Sequence, residues 1–150
     1  MTPTESDWQL RLYIYETLAA SGLAPNAHEL AARFGIAIAD VRRALQRLQA
    51  AHALLLHEGS GEILMAHPFS AKPTDYRVLI GDRALYANCA WDSLGIPAML
   101  GDDARVQARH PLSGELIEYG LRAGRLEGFR DLLVHFALPF RQWYADIVDT

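Results

Sequence analysis

Along the first third of the chain, apolar residues recur every three or four positions. From Asp7 to Ala20, DWQLRLYIYETLAA, they fall at Trp8, Leu10, Leu12, Ile14, Tyr15, Leu18 and Ala19. The Ile14/Leu18 and Tyr15/Leu18/Ala19 spacings bring those side chains to one face of a helix. Gly22 suits its C-cap, because glycine accepts a left-handed backbone. In APNAHELAARFGI, Asn26 caps a second helix and Glu29, three residues on, completes a capping box. Leu30, Ala31 and Phe34 face inward there, and Gly35 ends the helix. IADVRRALQRLQAAHALL predicts a third helix, with Asp40 as cap or first-turn acid and Val41, Leu45 and Leu48 as its apolar stripe. Two short apolar segments, ALLLH and EILMAH, then flank EGSG and read as a hairpin around a glycine turn.

The second half is patterned differently. Residues 67–76, HPFSAKPTDY, hold two prolines and small polar residues and read as a linker. YRVLI is β-rich, Gly81-Asp82 is a turn, and ALYA is a second strand or a helix start. CAWDSLGIPAMLG predicts a short helix ended before Pro97. Val106 and Ala108 on one side, and Leu116, Ile117 and Tyr119 on the other, surround HPLSG as a second hairpin. LLVHF is a strand or helix. The aromatic cluster of Phe136, Phe140, Trp143 and Tyr144 closes over an apolar pocket, is plain core, or forms a homodimer patch. The fold class is therefore α+β: a winged-helix-like helical N-terminal lobe (1–66) followed by a small antiparallel sheet with helices (67–150).

Composition narrows the classes. A chain of 150 residues fits one domain or two small lobes sharing a core. With 51% hydrophobic and 21% charged residues, it is not globally disordered. No apolar run approaches the roughly 20 residues that span a bilayer, so no membrane partner is expected. MTPTESDW has neither the basic start nor the apolar stretch of a secretory leader. One cysteine makes no internal disulfide, and the expected address is the cytoplasm. No internal repeat stands out.

Three short helices and a hairpin resemble a winged helix-turn-helix, with Arg42, Arg43 and Arg47 on the helix that would meet DNA. The charge argues the other way. The formal net charge is −4, and residues 1–68 carry five Arg against seven Asp and Glu. A nucleic-acid binder shows a basic excess, so these arginines read more readily as a solvated face on a packing lobe, and fold likeness alone does not fix function.

The candidate chemistry lies in YANCAWD, residues 86–92, which holds the single cysteine. If a helix begins at residue 89, Cys89 and Asp92 share a face at i and i+3. A helix N-terminus stabilises a thiolate as nucleophile and soft-metal ligand. A carboxyl group three residues on can donate a proton where burial raises its pKa. The competing reading is a small buried cysteine beside a solvated acid. Trp91, between the two, points away and packs in the core. Cys89, Asp92, His110, Asp131 and His135 are the candidate metal ligands. Cys89, His110, Asp131 and His135 form a mixed N/S/O set for zinc or copper, but show no ligand spacing such as H-x-x-x-H. His135, between Val134 and Phe136, reads as a core histidine. His28 and His67 read as structural or solvent-facing.

The run HPFSAKPTDYRV…YANCAWDSLGIPAMLGDDARVQARHPLSGE resembles the alkylmercury (organomercurial) lyase family. The matching features are PFS…PT before a strand, the tyrosine-rich lead into Cys-Ala-x-Asp, GIP…LG, and ARV leading to a Pro-x-Ser/Thr-Gly turn. The helical lobe ahead also matches, so the likeness covers residues 8–118 well and the tail poorly. The resemblance implies a fold of this α+β type and cleavage of a carbon–mercury bond. In the family two cysteines capture mercury and an aspartate protonates the departing carbon. Cys89 matches the first cysteine and Asp92 the aspartate. The chain has no second cysteine. Asp131 stands near its place on a loose alignment through His135-Phe136, and His110 replaces a supporting cysteine before the turn. Mercury is soft and favours paired thiolates, so the resemblance implies either weak protonolysis aided by a small external thiol, or binding of an organometal, soft metal ion or small ligand. The alternative class is a winged-helix regulator or ligand sensor without catalysis.

Overall fold

The chain, here a computed structural model, is described over residues 2–136 and 138–145. Helix α1 (Glu5–Ser21) starts two residues earlier than its apolar pattern. Thr4 and Asp7 form a capping box: the Asp7 amide donates to Thr4 Oγ1 at 3.4 Å, and the Thr4 amide to Asp7 Oδ2 at 2.7 Å. The helix buries Leu10, Ile14 and Leu18, and full burial of such a side chain contributes roughly 1.5–3 kcal/mol. Gly22 ends it at φ 73°, and a Cβ there would meet the Ala84 carbonyl oxygen at 2.7 Å. The turn therefore needs glycine for its conformation and for its close approach to the sheet.

Helix α2 (Ala27–Phe34) has the expected Asn26/Glu29 capping box and Gly35 terminus. Helix α3 (Ile38–Ala50) buries Val41, Ala44, Leu45 and Leu48. Asp40 is its first-turn acid; the cap position is Ala37, which supplies no side-chain bond. The arginines of α3 are not equivalent. Arg47 makes a bidentate pair with the buried Asp7, Nε to Oδ2 at 2.8 Å and Nη2 to Oδ1 at 2.7 Å, and so ties α3 to the start of α1. Arg43 pairs with Asp40 on the surface, and Arg42 is exposed.

Strands β1 (Leu55–Leu56), β2 (Ile63–Ala66), β3 (Phe69–Ser70), β4 (Tyr76–Ile80), β5 (Arg83–Ala87), β6 (Ala104–Arg109), β7 (Leu116–Arg122) and β8 (Arg125–Glu127) form one antiparallel sheet of order β1-β2-β3-β5-β4-β6-β7-β8. The fold class is α+β, as the pattern predicts. The segment read as a linker is not one. It contributes β3, which bonds β2 on one side and β5 on the other. Prolines 68 and 73 flank that two-residue strand rather than interrupting it. The 66/67 boundary thus falls between two paired strands.

Two further elements depart from the pattern. Helix α4 (Ala90–Leu100) runs through Pro97 and ends at Gly101. Proline removes one amide donor, but Ile96 and Pro97 are both buried, and the Gly101 amide bonds the Pro97 carbonyl at 2.9 Å. Packing outweighs the lost bond. Residues 132–136, LLVHF, form neither strand nor helix; β8 precedes them, and a 3₁₀ turn (Phe140–Ala145) follows. Both hairpin predictions hold, and they share a device. In HEGSGE (57–62), His57 Nδ1 accepts from the Gly59 and Ser60 amides; in HPLSGE (110–115), His110 Nδ1 accepts from the Leu112 and Ser113 amides. Gly61 and Gly114 both adopt φ 69°. The two six-residue segments share His, Ser, Gly and Glu at four positions.

Candidate active site

Strand β5 ends at Ala87, and after Asn88 and Cys89 α4 begins at Ala90. The abrupt strand-to-helix turn leaves Cys89 as the N-cap of α4, in an extended conformation (φ −149°, ψ 179°). Its half-buried Sγ accepts from the Asp92 amide at 3.5 Å. Asp92 stands one turn on, and both side chains line the same cavity. Cys89 and Asp92 are therefore brought together as their spacing predicts.

The electrostatics differ from the expectation for a helix N-terminus. Burial pushes the Cys89 thiol up from its ordinary value; the Asp92 amide pulls it back and the Asp92 charge adds to the rise. Burial also raises the Asp92 carboxyl, against the opposing pull of the Asn88 amide and His67. At this site desolvation outweighs the amide dipoles, so both equilibria are displaced toward the proton-bearing forms.

Around them lies a cavity of about 130 Å³. His67 and Tyr76 come from the sheet side, and Trp91, His135, Phe136 and Trp143 close it. Trp91 does not pack in the core; it is 58% exposed. Its ring meets Phe136 edge-on with centroids 6.2 Å apart, and Phe136 stacks on Trp143 at 5.3 Å. Trp91 lies next to Asp92 on a helix whose inner face is taken by Ser93, Ile96 and Pro97, so it is turned to the cavity rim. His135 is likewise exposed and lines the cavity rather than the core. The side chains of Phe140 and Tyr144, which the sequence grouped with this wall, lie outside the described residues.

A second cavity, of about 450 Å³, adjoins the first and shares Tyr76, Ala90, Val134 and His135 with it. His110 and Asp131 line this one and not the Cys89 cavity. The Nδ1 atom of His110 is taken up by its hairpin, and Asp131 is exposed at φ 68°. Among the described residues no group of three or more His, Cys, Asp or Glu side chains is placed to hold a metal ion. Tyr119 lines this second cavity, its hydroxyl 2.7 Å from Ser93 Oγ, and burial raises it as it does Tyr76.

Pattern reading passed over Asn88 and treated His67 as peripheral. Asn88 Nδ2 lies 3.0 Å from Asp92 Oδ2, 3.2 Å from the Pro68 carbonyl oxygen, 3.3 Å from that of Phe69, and 3.3 Å from His67 Nδ1. The Tyr15 hydroxyl of α1 donates to the His67 carbonyl at 2.8 Å and accepts from Arg11 Nη2 at 2.8 Å. Nothing in local sequence links residues 15, 67, 88 and 92; their only signal was the adjacency of Asn88 to Cys89.

A half-buried thiol at a helix N-cap, an acid one turn on and an aromatic-walled cavity mark the candidate site of this α+β protein. The family described as MerB, alkylmercury lyase, matches residues 69–149. The chain belongs to the alkylmercury lyase family. Among solved structures, the mercury-bound form of MerB2 is similar: TM-score 0.66, 25% identity, covering 83% of this chain and 59% of that one. This chain thus spans less than two thirds of that protein's length. No curated protein matches.

Proposed function

We propose that the chain cleaves the carbon–mercury bond of small organomercurials by protonolysis, with Cys89 capturing mercury and Asp92 delivering the proton. The observation that carries this reading is the pairing of Cys89 and Asp92 over one turn of α4 in a single cavity. Capture exchanges ligands: R–Hg–X and the Cys89 thiol give Cys89–S–Hg–R and HX. In the second step a small external thiol R′SH supplies the sulfur that a second cysteine would. The Hg–S bond to R′S forms, the C–Hg bond breaks, and Asp92 passes the proton from the thiol to carbon, releasing R–H. A further thiol exchanges Cys89 off mercury. Burial suits the acid: Asp92 is kept protonated further toward neutral pH, where it can donate.

The helical lobe, residues 1–66, is read as winged-helix-like but as a support for the site. Arg47 is committed to Asp7 and Arg43 to Asp40, so two of the three α3 arginines serve the lobe itself.

The test is a turnover assay with phenylmercury and excess small thiol, following benzene by gas chromatography. Multiple turnovers are expected, lost in Cys89→Ala, and reduced at least about 100-fold in Asp92→Asn, in line with the contribution of a positioned general acid. A single mercury adduct on Cys89 without benzene would replace catalysis by ligand binding.

A further inference from the structure

We propose that Asn88 is the positioning residue of this site: its side-chain amide holds the Asp92 carboxyl in the rotamer that faces Cys89. The proposal rests on the reading of Asp92 as proton donor, and its geometry stands apart from that reading. Asn88 Nδ2 has three oxygen acceptors in reach, and the shortest contact, 3.0 Å, is to Asp92 Oδ2. The two backbone carbonyls, of Pro68 and Phe69, lie at the start of β3. They fix the orientation of the amide, since a flipped amide would set its oxygen against three others. The other end of the side chain shows what this arrangement costs. Asn88 Oδ1 is buried and, among the described residues, has no hydrogen-bond partner. An unsatisfied buried acceptor opposes folding, and an apolar side chain of the same shape would avoid it. The amide is therefore not explained by packing; its work is done through Nδ2.

The consequence is geometric. Asp92 has two oxygens; with Oδ2 held by Asn88, Oδ1 is left as the one to carry and deliver a proton. The anchor extends beyond the turn. Tyr15 and Arg11 hold the His67 carbonyl from α1, and the Tyr15 ring meets Phe69 edge-on at 6.0 Å. The strand start that orients Asn88 is thus itself seated on the helical lobe.

The experiment compares wild type with Asn88→Leu, which keeps the shape and removes the donor, and with Asn88→Ala should the leucine variant not fold. Two quantities are measured: the single-turnover rates of mercury capture and of hydrocarbon release from phenylmercury, and the Asp92 χ1 distribution from NMR three-bond couplings. Capture is expected to stay within about 2-fold, while release falls about 10- to 100-fold, because misplacing a reacting group by an ångström costs rates of that order. Asp92 should pass from one rotamer to an average. Unchanged release together with an unchanged rotamer would overturn the proposal. If wild type captures phenylmercury but releases no hydrocarbon, the lyase reading falls and the rotamer decides alone: averaging in the variant upholds the positioning role, and a single retained rotamer ends it.

Discussion

Cys89 shows how opposing local effects are ranked. As the N-cap of α4 it receives the dipole and an amide hydrogen bond, which favour thiolate. Burial and the neighbouring Asp92 charge oppose them and prevail. The sequence spacing reveals the pair but not this balance, because desolvation depends on Tyr76, Phe136 and Trp143, none of which is near in the chain. If Asp92 faces the thiol, its removal should lower the Cys89 pKa. Asp92→Asn is expected to react faster with iodoacetamide at pH 8, with its pH–rate profile displaced to lower pH. A slower or unshifted profile would show that the acid does not act on the sulfur. Asn88 and His67 escaped the pattern for the same reason, and His135, a candidate ligand also read as core, lines the cavity instead: each reaches it through folding rather than through periodicity.

At the scale of elements, caps and stripes were readable, since they are local. The Asn26/Glu29 box, Gly22, Gly35 and the two glycine-turn hairpins all form where their residue types predict. The exceptions are tertiary overrides: α4 passes through Pro97 because Ile96 and Pro97 are buried together, and LLVHF stays irregular while lining two cavities. The Asp7–Arg47 pair joins two elements and yields a pH prediction. The Arg47 hydrogen bonds hold Asp7 at about 2, against an ordinary value of 3.8. The folded-state pKa is depressed, so the stabilisation is fully present above pH 3.8 and is lost as pH falls through about 2. Its size is about 2 kcal/mol, since one pKa unit is 1.36 kcal/mol. Denaturant unfolding between pH 2 and pH 5 should show that acid-dependent loss in wild type, and a slope smaller by this amount in Asp7→Asn. Equal slopes would mean that the pair is not formed.

At the scale of the molecule, one sheet joins what pattern divided into two lobes. Strand β3 links β2 to β5, α1 packs on β5, and Tyr15 reaches the site from the helical lobe. A piece holding residues 67–150 should therefore not fold by itself: it would expose the face of Phe69, Leu85 and Ala87 that is buried in the whole chain. Circular dichroism melting of that piece is expected to show no cooperative transition, whereas the full chain melts in one. A sharp melt of the fragment would support the division into residues 1–66 and 67–150. Among the described residues no helix is long and apolar enough to cross a membrane.

The sequence by itself determined the α+β class, the first three helices with the Asn26/Glu29 box and the Gly22 and Gly35 ends, both hairpins and the Cys89/Asp92 spacing. These depend on contacts within a few residues, where side-chain period and turn chemistry act directly. Tertiary structure alone decided that HPFSAKPTDY contributes the short strand Phe69–Ser70 bridging the sheet, that Trp91 and His135 border the cavity, and that His110 serves a turn. It also decided that Asn88 grips Asp92. Each of those outcomes depends on groups brought together from distant parts of the chain, and on burial outweighing local preference.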